Sequence, residues 1–151
     1  PKPSFVDGAR IARASAGGDG GSWFEISKTR VRDRMVRVVA LAERVLPLER
    51  IATGPGTELG IGPQWRPHGD LDFVLQELGR FPGLGWNLVR TGLRSRVTRN
   101  RNMALRALSE WGPQRWPTDA RPLLVEARAR EPDADVQKRI DRILDGKKFD
   151  E

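Results

Sequence analysis

Over the C-terminal two-thirds of the chain, apolar residues recur at alternating spacings of three and four, the period of a helix with one buried stripe. Leu71, Val74, Leu75 and Leu78 form one such stripe, Ala104, Ala107, Leu108 and Trp111 a second, and Ile140, Ile143 and Leu144 the tail of a third. Upstream, Val31, Met35, Val38, Ala42 and Val45, widened by Val39 and Leu46, predict a helix over 29–46. Pro47 ends it, because proline lacks the N–H that the next turn needs. Shorter amphipathic stretches lie between the stripes: Trp86, Val89 and Leu93 make one, and Ala120, Leu124 and Ala127 another. Pro122 is tolerable there as a first-turn residue, with Thr118 or Asp119 as the cap, and Asp133 is placed to cap a last helix from Val136 to Leu144.

Residues 71–79 and 104–112 superpose at an offset of 33, with the same apolar, Glu and Gly positions, and Ile140 follows Ala104 by 36. Gly79, Gly112 and Gly146 stand just past each stripe, where a helix can end in a left-handed turn. A period of this length signals one supersecondary unit copied along the chain. Together with the stretch 100–108, these segments resemble HEAT repeats, including the HEAT-like repeats of bilin-lyase type, over about residues 68–146. Asn100 departs from the pattern, standing where the first apolar residue belongs, and residues 1–66 are not explained by it. The resemblance implies a mainly α fold, an alpha-solenoid of helix pairs that presents a curved surface; it names no partner.

The N-terminal part is less regular. Residues 1–28 read as an irregular arm or short strands, with Phe5 to Ala14 a strand or loose arm and Gly17 to Gly21 a turn. Ser22 with Glu25 fits a capping box, while Trp23 to Ile26 reads equally as a short strand with Ser27 or Thr29 as the cap of the following helix. Residues 47–69 are a Gly/Pro-rich connection before helix pairs spanning 70–146. Within it, Gly54 to Gly60 has the composition of a phosphate-binding loop without the spacing, so an ordered loop is expected. The 151 residues suffice for a single domain.

Charge changes this picture in one place. The net charge is +7, and between Glu77 and Glu110 there is no acidic residue, whereas Arg80, Arg90, Arg94, Arg96, Arg99, Arg101 and Arg106 all fall there. The rest of the chain is balanced, so the excess is concentrated in this segment of the sequence. Trp65, Trp86, Trp111 and Trp116 bracket it. Aromatic faces among arginines suit stacked bases with phosphates on the guanidinium groups; the plainer account makes the tryptophans core and turn residues. On a helix, Arg99 and Arg106 share a side with Asn102, and Arg101 falls beside Leu105 and Leu108, where it is partly buried.

Catalytic chemistry finds little support. The chain has no cysteine, and His68 is the sole histidine, which removes thiol chemistry and leaves no metal site to expect. No nucleophile motif surrounds a serine. Glu58 and Asp70 are the carboxylates that a catalytic role would use, with capping of a helix the plainer role for Asp70. No apolar run reaches the roughly 20 residues of a membrane span, no signal segment leads the chain, and the chain opens on Pro1 like a piece of a longer polypeptide; a cytoplasmic placement with no membrane partner is expected. The expected function is a non-enzymatic scaffold, without cofactors, whose binding surface comprises Arg90, Arg94, Arg96, Arg99, Arg106, Trp86 and Trp116 and faces an acidic protein. The alternative is nucleic-acid binding, up to an enzyme similar to the HEAT-like DNA glycosylases, although the basic segment lacks an acid; a weaker option is an enzyme active only within a longer polypeptide.

Overall fold

The computed structural model describes residues 20–150, and among these the chain forms eight α-helices. They are α1 (Gly20–Ser27), α2 (Arg32–Val45), α3 (Leu48–Ile51), α4 (Arg66–Leu78), α5 (Trp86–Leu93), α6 (Thr98–Trp111), α7 (Ala120–Arg130) and α8 (Ala134–Leu144). Single 3-10 turns, Pro63–Trp65 and Pro113–Arg115, precede α4 and follow α6. The described residues contain no strand, only an isolated parallel bridge between Glu58 and Val97. None of their helices is long and apolar enough to cross a membrane.

Several boundaries differ from the sequence expectation, each for a local reason. The end of the segment read as an irregular arm or short strands is helical, because Trp23, Ile26 and Ser27 sit at i, i+3 and i+4 and are all buried. Phe24 on the same helix meets Phe73 of α4 edge-on, with ring centroids 5.7 Å apart. The expected arm from Phe5 to Ala14 lies outside the described residues. Helix α2 starts at Arg32 instead of 29, since the Thr29 hydroxyl accepts from Val31 N–H at 3.1 Å in a turn that precedes the helix. The 47–69 connection carries α3, and α4 begins at Arg66 with Pro67 in its first turn, so Asp70 is inside the helix and caps nothing. Asp133 does cap α8, accepting from the N–H groups of Asp135 and Val136, whereas the Asp119 side chain makes no capping bond. Gly112 and Gly146 have positive φ of 82° and 78°, but Gly112 with ψ 147° is extended and not in the left-handed turn expected, and Gly79 is right-handed at φ −57°.

Helix packing follows an alternating scheme. Along the series α1, α4, α6 and α8 each helix touches the next, and along α3, α5 and α7 the same holds; α4 and α6 pack against α5, and α8 packs against α7. Leu75 and Leu108, which match when 71–79 is laid on 104–112, are 1% and 0% exposed and belong to one continuous core. Trp111, at the position equivalent to Leu78, is also buried, and its indole N–H donates to the Leu78 carbonyl at 2.7 Å. At the end of α4, where a left-handed glycine turn is missing, the Leu78 carbonyl thus accepts from a side chain of α6 as well as from Phe81 N–H at 2.9 Å.

The N-terminal turn of α6 is polar inside. Asn100, fully buried, accepts from Ser95 Oγ at 2.8 Å and donates to Asp72 Oδ1 at 2.6 Å and to the His68 carbonyl at 2.9 Å. A residue that broke the apolar pattern therefore joins α4 to the turn before α6. Arg101 is 2% exposed, so the expectation of partial burial understates it. Its guanidinium holds Glu131 through Nε at 2.8 Å and Nη2 at 2.7 Å, and Nη1 donates to the carbonyls of Ser95 and Arg96 at 2.9 and 3.1 Å. Glu131, between α7 and α8, also accepts from Asp133 N–H at 3.2 Å.

A buried charge whose partner is removed costs far more than the intact pair contributes. Arg101→Met is therefore expected to lower the unfolding free energy by about 3–5 kcal/mol, with most of it recovered in the double variant Arg101→Met/Glu131→Leu. Urea unfolding followed by circular dichroism measures both; a single variant as stable as wild type would reject this account.

Candidate functional site

The arginines that the sequence groups together are separated by the fold and mostly neutralised. Arg80 at the end of α4 pairs with Glu77 and donates to the Thr29 carbonyl at 2.8 Å. Arg90 on α5 donates to Asn87 Oδ1 at 2.9 Å and lies 3.7 Å from Asp119. Arg96 holds Glu58 of the loop before α4, with Nε 2.7 Å from Oε1. Arg99 reaches Asp72 at 3.1 Å, and Arg106 reaches Glu110 one turn away at 3.3 Å. Arg94, which follows α5, is exposed, and its side chain has no hydrogen-bond or ion-pair partner among the described residues.

The tryptophans are engaged as well. Trp86 Nε1 donates to Asp119 Oδ1 at 3.0 Å, and Trp116 Nε1 to the Leu108 carbonyl at 2.8 Å, with Arg121 stacked 5.3 Å from the Trp116 ring. Trp65 meets His68 edge-on with centroids 4.9 Å apart. Of the expected binding surface, the structure brings together Arg90, Arg94 and Trp86 around α5; Arg99 and Arg106 lie on α6, Arg96 is held by Glu58, and Trp116 packs at the end of α6.

Two clefts adjoin at Arg94. One, of about 190 Å³, runs between α5 and α7 over Leu93, Leu123 and Ala127, with Gly54 and Pro55 as its outer wall. The other, of about 340 Å³, lies towards α3 and includes Glu43, Glu49 and Asn87; both share Ala52, Arg90 and Arg94. The wall stands because Gly54 N–H donates to the Arg94 carbonyl at 2.7 Å. A Cβ on Gly54 would lie 2.7 Å from Arg96 N, so only glycine allows the loop this close to the α5–α6 turn. The sequence marked this loop for a resemblance to phosphate cradles; its role as a cleft wall depends on a contact 40 residues away in the chain, which no local pattern reveals.

The candidate carboxylates lie apart from both clefts. Burial pushes the Asp70 carboxyl up to about 6, opposed by the Arg66 charge. Asp72 is likewise pushed up to about 6 by burial, against the hydrogen bond from Asn100 and the Arg99 charge. Burial also lowers the basicity of His68, while the Arg96 guanidinium holds Glu58 below the usual carboxylate range. Asp72 is committed to Asn100 and Arg99, and Glu58 to Arg96. Among the described residues, no group of three His, Asp or Glu side chains is placed to hold a metal ion. No family model matches the chain, and neither a curated protein nor a solved structure does.

Asp70 generates a test of this electrostatic description. Its carboxyl titrates at 3.8 when unfolded and about 6 when folded, so the folded state holds the proton longer. Its contribution to stability is complete below 3.8 and is lost as pH rises through 6. The stability of Asp70→Asn relative to wild type should therefore increase between those pH values, read from urea midpoints; a difference that is flat in pH would refute the raised value.

Proposed function

We propose that the chain is a non-enzymatic binding module, a HEAT-like stack of helix pairs that offers the surface around Arg94 to an acidic protein partner. The observation that carries this reading is Arg94 itself, an exposed guanidinium without a partner of its own, set between two clefts. A cation already paired presents little net field, however many arginines the sequence counts, whereas an unpaired one at a cleft is an attachment point for a carboxylate. The alternating contacts of the two helix series and the 33-residue offset between 71–79 and 104–112 support the repeat reading.

Nucleic-acid binding draws less support from the same geometry. Phosphate affinity grows with the number of cations neutralising the backbone, and Arg90, Arg96, Arg99 and Arg106 each stand beside an acid. The indole N–H groups of Trp86, Trp111 and Trp116 are bonded within the protein, and Trp111 is buried, which limits its use as a stacking platform.

Fluorescence anisotropy with labelled poly-glutamate and with duplex DNA of matched charge distinguishes the two. Poly-glutamate should bind at low salt and Arg94→Glu should weaken it by roughly tenfold, about 1.4 kcal/mol, while DNA binds more weakly. Tighter DNA binding with a steep salt slope, or poly-glutamate binding indifferent to Arg94→Glu, would overturn the proposal.

A further inference from the structure

We infer that the smaller cleft beside Arg94 is an anchor pocket: it takes one large apolar side chain of the partner, with the partner's carboxylate next in sequence reaching Arg94. This rests on the acidic-partner reading and specifies its recognition element. Between α5 and α7, Leu93, Leu123 and Ala127 form an apolar patch flanked by the charged side chains of Arg90, Arg94, Glu126, Arg130 and Glu131. Its volume of about 190 Å³ exceeds the roughly 150 Å³ that accommodates a benzene ring, so one Leu or Phe side chain fits. Interfaces gain most from such a buried anchor ringed by polar groups.

The charges around the pocket select what accompanies the anchor. Arg130 stands 3.8 Å from Glu126 and Arg90 is shared with Asp119, which leaves Arg94 as the cation at the rim without a partner among the described residues. On the far side, Glu43 and Glu49 line the second cleft. A stiff phosphate backbone spanning both clefts would meet Glu126 and those two glutamates and would leave the apolar patch unfilled, whereas a flexible peptide can set a single carboxylate on Arg94. A peptide carrying an apolar residue, then a carboxylate, and a basic residue beyond matches every part of the groove. The fixed wall at Gly54 makes the pocket available before the partner arrives, which avoids the cost of ordering it on binding.

The test uses three labelled peptides that differ only at the centre, Leu-Glu-Lys, Ser-Glu-Lys and Leu-Gln-Lys, alongside poly-glutamate. On the wild-type protein the first should bind roughly tenfold more tightly than either of the others, the size of effect expected from removing one aliphatic side chain from water or one carboxylate from a guanidinium. Ala127→Leu, which fills the pocket, should bring Leu-Glu-Lys and Ser-Glu-Lys to equal affinity. Leu123→Ser, which strips one wall, should do the same and serves if the first variant fails to fold by circular dichroism. Equal affinity of those two peptides on wild type, with poly-glutamate still dependent on Arg94, would overturn the anchor and leave the acidic surface standing. Loss of poly-glutamate binding altogether would remove the surface reading and the anchor with it.

Discussion

Arg101 and Glu131 form the contact on which the geometry of the C-terminal half depends. Each side chain is 2% exposed, and together they join the first turn of α6 to the connection between α7 and α8. Such a pair offers little advantage over apolar residues of similar volume, because removing both ions from water offsets most of their attraction. Its effect is on arrangement: the guanidinium is satisfied only when the carbonyls of Ser95 and Arg96 and the carboxylate of Glu131 are all in place. Glu131 in turn orders the next helix, since its carboxylate accepts from Asp133 N–H and its carbonyl from Gln137 Nε2 at 2.6 Å.

Asn100 extends the same constraint in the other direction. Through Asp72 and the His68 carbonyl it fixes α4 against the turn before α6. That turn also receives the 54–60 loop, through the Gly54 bond to the Arg94 carbonyl, the Arg96–Glu58 pair and the packing of Gly60 on Val97. Residues 94–101 thus act as a junction, and their arginines serve it in different ways. Arg101 and Arg96 hold structure, Arg99 screens Asp72, and Arg94 alone supplies only its backbone carbonyl and keeps its side chain outward. A segment without a single acid in sequence is close to neutral in space.

How much of this the sequence showed depends on the range of the interaction. Period and caps are local, so the stripes at Leu71–Leu78 and Ala104–Trp111, the stop at Pro47 and the cap at Asp133 were legible. The helix at Gly20–Ser27 was ambiguous because eight residues with Trp, Phe and Ile suit a strand equally well until the packing against α4 decides. Asp70 was misplaced because the true start, Arg66-Pro67, lacks a capping side chain to announce it. The ion pairs of the acid-free segment were only partly legible because several of their acids come from afar: Glu58 lies 38 positions from Arg96, and Glu131 lies 30 from Arg101. Asn100 was visible as an exception to the pattern, yet the three groups that it bonds were not.

The bond from Trp111 to the Leu78 carbonyl bears on how this architecture can change over time. A helix whose end is held only by its own following turn can vary without reference to its neighbours. The Leu78 carbonyl takes one donor from that turn, Phe81 N–H, and a second from an indole 33 residues downstream, so loss of Trp111 leaves it with the local bond alone. Substitutions at the ends of α4 and α6 are therefore coupled, and the two positions are constrained to vary together.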